Sequence, residues 1–279
     1  MNPQKDPLEN KTSFYYPLLL LDREKQGGMK LLYRFCWMAD DISDGPGSPP
    51  EKRRKLARFK RNLKDAFQGR PTDLFFLQFQ KIIQIFGLTP GPLERIIKGV
   101  ERDLKPIRFK KFGELHQYAL QVAGGPGLAS MEIFGFKDKA HQVYAENLGV
   151  FLQIVNMVRD FTEDKNMGRF YFPQADFKRF HLNPHQIDGK NSHWKPFVEF
   201  QLDRAWTFLE KSRKALTRSQ RARLMTAESI AAVYVKLFQK LRANPYRILK
   251  DKTALSKWDK GLSVLGAVGR CWFWKVLGD

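Results

Sequence analysis

Two short acidic runs, Asp40-Asp41-Ile42-Ser43-Asp44 and Asp160-Phe161-Thr162-Glu163-Asp164, are set into stretches of this chain that otherwise carry helical apolar periodicity. On a helix, residues four apart stand one above the other. Asp40 with Asp44, and Asp160 with Asp164, therefore each direct two carboxylates at one spot about 6 Å tall. Like charges at that spacing repel, and Asp is a poor helix former, so such runs among apolar neighbours restrict the folds open to the chain. Either the acidic faces are solvated, or they are turned toward a cation. Hard divalent metals provide one, and Mg²⁺ in particular is held by one or two carboxylates, several waters and substrate phosphates. That chemistry points to a phosphate-bearing substrate.

The surrounding periodicity is helical throughout. Leu56, Phe59, Leu63 and Phe67 recur at three and four, as do Leu148, Leu152, Val155 and Val158-Arg159 just before the second run. Convincing strand alternation is absent. Gly, Pro and Asn collect at 45–50, 87–92, 124–127, 172–196 and 243–245, leaving some eight helical blocks. No internal repeat or long biased linker divides the chain, so residues 1–279 read as one all-α domain, a helical bundle around a central cavity. Gln153, Asn156, Asp160 and Asp164 form a polar stripe at three, four and four beside Leu152, Val155 and Val158. One acidic run alone reads as a solvated face; two, with this stripe, read as the lining of a cavity with two acidic walls.

Composition narrows the partners. A hydrophobic content of 43% over 279 residues buries a substantial core. Lys and Arg outnumber Asp and Glu 49 to 29, a net charge of +20, which attracts nucleic acid, acidic lipid or phosphorylated metabolites alike. The cations are scattered, as in Glu51-Lys52-Arg53-Arg54-Lys55, and no nucleic-acid recognition pattern is present, so a noncatalytic basic binding protein is the weaker reading. Cys36 and Cys271 have no ligand-like spacing, which fits a reducing cytoplasm. Met1 to Lys11 is polar and expected to be flexible, with no secretory signal or membrane span. Residues 262–277, with Trp272, Phe273 and Trp274 set among Arg270 and Lys275, suit either a membrane-surface helix or a terminal helix docked on the core.

At these residues the chain resembles the squalene and phytoene synthase family of head-to-head trans-prenyltransferases, from Ser13 to about Tyr246. The resemblance is carried by Ser13-Phe14-Tyr15-Tyr16, by Leu32-Tyr33-Arg34-Phe35-Cys36 leading into Asp40, and by Gln153-Ile154-Val155-Asn156-Met157-Val158-Arg159-Asp160 continuing to Gly168-Arg169-Phe170-Tyr171-Phe172-Pro173. Weaker echoes are Gly99-Val100-Glu101-Arg102-Asp103-Leu104, Tyr118 followed by Val122-Ala123-Gly124, and Tyr234. The resemblance implies an isoprenoid-synthase-like bundle in which Asp40, Asp44, Asp160, Asp164 and Asn156 hold Mg²⁺ against prenyl diphosphates. It implies further that Gln153, Arg159 and Arg169 assist, that Tyr33, Tyr171 and Tyr234 line the chamber, and that Ser13, Phe14 and Ala123 contact substrate. Small residues Ala123, Gly124, Gly125 and Gly127 would let a prenyl chain pass a helix kinked near Pro126.

One departure matters. Trp37 stands where most relatives carry an Arg that touches a diphosphate, and Arg34 stands where they carry Ala. Arg34, three residues away on one helical side, or Lys11 upstream, is expected to take over that charge. The run from Ser13 to Leu20 is most similar to hopanoid-route bacterial enzymes that join two farnesyl diphosphates into presqualene diphosphate without NADPH. Squalene or dehydrosqualene synthesis, and then phytoene synthesis from C20 substrates, are the alternatives. Such a protein is expected in the cytoplasm, peripheral at the anionic inner membrane surface, with downstream isoprenoid enzymes as partners and no nucleic acid.

Overall fold

The structure, a computed structural model, describes residues 15–278. Lys11, Ser13 and Phe14 lie outside the described residues. Helix α1 (Tyr15–Leu18) is a single turn; α2 (Arg23–Asp44) begins where the Asp22 carboxylate accepts the Lys25 amide at 2.8 Å. Its inner stripe is Gly28, Leu32, Phe35, Ala39 and Ser43. α3 (Pro49–Phe67) opens on a Ser48–Glu51 capping box and buries Leu56, Phe59 and Leu63 of the expected row, which Ala66 completes, while Phe67, expected in it, is only half-buried in the last turn. α4 (Leu74–Phe86) is capped by Asp73 and closed by left-handed Gly87, and α5 (Pro90–Asp103) starts on a proline whose missing amide costs nothing there. These four helices enclose an aromatic cluster in which Phe35 lies 4.9 Å from Phe59 and 5.0 Å from Phe79.

α6 (Phe112–Ala119) runs into a π-helical segment, Leu120–Gly124, and then α7 (Gly125–Phe134). Near Pro126, where a kink is expected, the run from α6 to α7 stays helical through this π segment, and Pro126, two residues past it, has no amide to donate back into the run. α8 (Lys139–Arg159) passes so close that a Cβ on Gly149 would stand 2.7 Å from the Ala123 carbonyl oxygen. Then come α9 (Phe161–Asn166), α10 (Gln174–Arg179), α11 (Trp194–Lys214), α12 (Arg218–Ala222), α13 (Met225–Ala243), a 3₁₀ turn at Pro245–Leu249 and α14 (Lys257–Leu277). The eight expected blocks become fourteen helices among the described residues, because glycines, prolines and single-turn helices subdivide them.

α8 is the central spoke: its buried residues join α6, α11 and α13 in a second apolar cluster, and Phe134 packs against both clusters. Where α8, α12 and α13 meet, the Arg221 guanidinium donates to Glu228 at 2.9 and 2.8 Å, and the Tyr144 hydroxyl donates to the same carboxylate at 2.9 Å. A buried ion pair so fully bonded locks the three helices in register. α14 is docked through Val264, Ala267 and Cys271, and Arg221 covers its Trp274 ring at 4.7 Å. Its outer side is apolar as well. No helix among the described residues is long and apolar enough to cross a membrane.

Candidate active site

The stripe of α2 adjoining its core row, Met29, Tyr33, Cys36 and Asp40 at four, three and four, faces a cavity of about 320 Å³. The opposite wall is α8, which presents Leu148, Leu152, Gln153 and Asn156; Val122, Ala123 and Pro126 close a third side, and Ala227 and Ile230 of α13 a fourth. The lining is overwhelmingly apolar until Asp40, Gln153 and Asn156 are reached. Those three, with Val122, also border a second cavity of about 360 Å³, so the two spaces are joined at one neck. The second space is acidic: Asp40 and Asp44 from α2, Asp103 from the end of α5, and Asp160, Glu163 and Asp164 across from them, with Tyr118, Tyr171 and Arg169 between. Both acidic runs thus face one volume.

Burial first, and crowding after it, raises the pKa of several of these carboxyls. Asp40 has an exposed edge, but the protein around its carboxyl, then the charges of Asp103 and Asp44, push its pKa up to about 7. Burial is also the main cause for Asp103, raised to about 7 against the hydrogen bond from Tyr118, and for Asp164, raised to about 7 with help from Asp160. Asp160 differs. Burial opposes its ionisation, yet Arg159 grips it through two bonds of 2.8 and 2.5 Å and Lys252 lies at 3.1 Å, holding its pKa below the usual carboxylate value. Lys252 is itself steered by Glu163 at 2.6 Å. Arg169 spans the mouth: burial works against its charge, but Asp44 at 2.6 Å more than offsets this.

The donors present fit a hard cation. All are oxygens, the Asn156 Oδ1 and the Asp103 Oδ1 are buried with no hydrogen-bond partner, and burial, with neighbouring carboxylates adding to it, raises the pKa of Asp40, Asp103 and Asp164 to about 7. Among the described residues no three acidic, His or Cys side chains are gathered so as to hold a metal ion by themselves. An incomplete oxygen set suits Mg²⁺, which takes its remaining ligands from water and phosphate. Asp44 and Asp160 would have to relax their pairing with Arg169 and with Arg159 and Lys252 to contribute.

Of the residues singled out from sequence, the joined cavities gather Asp40, Asp44, Asp160, Asp164, Tyr33, Tyr171, Gln153, Asn156, Arg169 and Ala123. Tyr234 is buried and lines neither cavity; Asn156 and Arg159 reach its hydroxyl, so it braces the wall from behind. Arg159 acts on Asp160 without lining either space. Arg34 is not brought to the mouth: it points to the other side of α2, with its guanidinium 5.7 Å from the Phe75 ring centre. One helical step from Tyr33 is about 100°, enough to carry it out of the cavity. Asp103, Tyr118 and Lys252 were missed as site residues. Asp103 had a signal: it prolongs the buried row Ile96, Val100 of α5, where an apolar residue is due. Lys252 had none.

The sequence matches the squalene/phytoene synthase family over residues 9–259, so α14 lies almost wholly beyond the matched segment. It is 30% identical over 270 residues, 94% of this chain, to a chloroplastic phytoene synthase of an Oncidium hybrid cultivar, and 30% identical over 257 residues, 89% of this chain, to that of Narcissus pseudonarcissus. The chain spans 66% and 61% of the length of these curated relatives. Among solved structures, a dehydrosqualene synthase superposes with a TM-score of 0.81 at 24% identity, covering 93% of this chain and 92% of that one. Squalene synthase HpnC from Alicyclobacillus acidocaldarius superposes with a TM-score of 0.77 at 21% identity, covering 85% and 90%. At those identities the likeness speaks for the shared all-α fold.

Proposed function

The chain belongs to the squalene/phytoene synthase family, and from that premise we propose that it condenses two farnesyl diphosphates head to head into presqualene diphosphate. The observation that carries this reading is the neck at Asp40, Gln153 and Asn156, which joins an acidic space for diphosphates to an apolar one for prenyl chains. The C1–O bond of one farnesyl diphosphate breaks and its electron pair leaves with pyrophosphate. The C2–C3 double bond of the second substrate attacks the resulting allylic cation, and loss of a proton closes the cyclopropane. No reductant is consumed, so NADPH is not expected.

Asp40, Asp44, Asp160, Asp164 and Asn156 are the residues that would hold Mg²⁺, which when bound supplies positive charge to the departing diphosphate. Arg169 adds a fixed cation at the same mouth. Gln153 and Asn156 orient polar groups at the neck, while the apolar walls keep water from the cation. The Tyr33 ring borders the apolar chamber, where its face stabilises positive charge, and Tyr118 and Tyr171, stacked 5.5 Å apart, order the acidic side. Ser13 and Phe14 remain assigned to substrate by resemblance, Lys11 is the upstream candidate for the charge lost at Trp37, and Tyr234 supports the wall. The protein acts as a single catalytic unit at the inner membrane surface, passing a greasy product to downstream isoprenoid enzymes.

Incubation with Mg²⁺ and farnesyl diphosphate, with and without NADPH, tests this reading against geranylgeranyl diphosphate and an Asp160→Ala control. A cyclopropyl C30 diphosphate formed without NADPH and lost in the control is the expected result. Squalene appearing only with NADPH would replace the presqualene endpoint. A second reading, phytoene synthesis from C20 substrates, is favoured by the names of the relatives at 30% identity, and turnover of geranylgeranyl diphosphate alone would establish it.

A further inference from the structure

Helix α14 is apolar on two opposite sides. Val264, Ala267 and Cys271 pack inward against α12 and α13. On the outer side Trp258, Leu262, Leu265, Trp272 and Val276 recur at four, three, seven and four, with Gly269 in the gap, and each is between 62% and 82% exposed. A helix docked by one face ordinarily turns polar residues outward; a straight apolar stripe over its whole length marks a surface with a partner. Phe273 and Leu277 widen it at the far end. Lys257 and Lys275 border one side of the stripe and Arg270 the other, all exposed.

We propose that this stripe is the docking surface for an anionic membrane, with α14 lying in the plane of the lipid headgroups. Charge complementarity selects the occupant. The rim is cationic, the whole chain carries +20, and a tryptophan stands near each end of the stripe, a composition suited to the boundary between headgroups and acyl chains. A second copy seated on the stripe would set the same basic rim against itself across a two-fold axis. The single turn α1 packs against both α13 and α14, and there Leu18 lines the apolar cavity while Leu19 and Leu20 are exposed. Through α1 the docking helix is one element away from the apolar chamber, which would set the chamber beside the bilayer that holds prenyl chains. This last step rests on the prenyl-transfer reading; the docking itself does not.

The test is flotation of the intact protein with vesicles of phosphatidylcholine alone and of phosphatidylcholine with phosphatidylglycerol, beside the double variant Leu265→Ser, Trp272→Ser. Both positions are exposed, so the variant keeps its helicity and its turnover of detergent-dispersed substrate. The intact protein should float with the phosphatidylglycerol vesicles, more weakly as salt rises, and the variant should lose about tenfold or more in partitioning. Undiminished flotation of the variant, or no flotation of the intact protein, overturns the proposal. So does a dimer by light scattering that the variant converts to monomer, which would make the stripe a subunit interface. A protein that floats as expected but turns over no prenyl diphosphate retires the prenyl-transfer reading and leaves the docking surface standing.

Discussion

Replacing Asp103 by Asn should stabilise the protein above neutral pH. One oxygen of this carboxyl faces the Tyr118 hydroxyl, an interaction the Asn carbonyl retains; the other, Oδ1, is buried without a partner. Its pKa rises from 3.8 to about 7, chiefly through burial. In the unfolded chain Asp103 releases its proton near 3.8, whereas the folded state holds it to about 7, so the folded state binds more protons between those values. Stability therefore falls as pH rises from 4 to 7 and stays lowered above. The shift, 7 − 3.8, sets a ceiling of about 4 kcal/mol, reduced to about 2 kcal/mol by water entering the cavity and by neighbouring acids that share the penalty. For a chain of this size that is a rise in Tm of about 4 °C at pH 8, shrinking to nothing near pH 4. Calorimetry across that range reads it directly. Mg²⁺ with inorganic pyrophosphate should then raise the Tm of the unaltered protein more than that of the variant, because the carboxylate regains a counter-charge. A variant equally stable or less stable at pH 8 would show that Asp103 is already ionised and paired, and would refute the picture of an under-neutralised acidic cavity.

Three further perturbations separate packing from chemistry. Gly149→Ala forces a Cβ to 2.7 Å from the Ala123 carbonyl oxygen and should cost about 2 kcal/mol in urea unfolding; an unchanged midpoint would mean that α8 and the π segment yield freely. Arg169→Gln removes the cation spanning the mouth and should lower kcat/KM for the prenyl diphosphate about a hundredfold, with little change in Tm, as steady-state kinetics and calorimetry together would reveal. Arg221→Met leaves the buried Glu228 carboxylate with the Tyr144 hydroxyl but without its cation and should destabilise the protein by about 3 kcal/mol in the same urea assay.

How much of this site was legible follows from how far each signal reaches along the chain. Periodicity is local, and it placed Leu56, Phe59 and Leu63 on the buried side of α3 and Gln153, Asn156 and Asp160 on one side of α8 because helical geometry alone decides which residues share a side. The acidic runs were legible for the same reason: even across the break at Asp160 the amide of Asp164 still bonds back to the Asp160 carbonyl at 2.9 Å, keeping the two carboxylates in register. Arg34 exposes the limit of that logic. Its spacing to Trp37 is helical, but which side of α2 meets the cavity is decided by Phe35, Phe59 and Phe79 claiming the adjacent row, and Arg34 is left over Phe75. Lys252 marks a harder limit. It reaches Asp160 only because α13 ends at Ala243, the 3₁₀ turn reverses the chain, and Thr162 ties that turn to α9 through the Ile248 carbonyl at 2.8 Å. No spacing encodes such a contact, which, against burial, adds to the stronger hold of Arg159 in keeping the pKa of Asp160 low while burial pushes Asp40 and Asp164 up to about 7. The two acidic runs look alike as sequence, yet within the second one Asp160 parts from Asp164, because Arg159, its neighbour in the chain, and Lys252, brought there by packing, both hold its carboxylate.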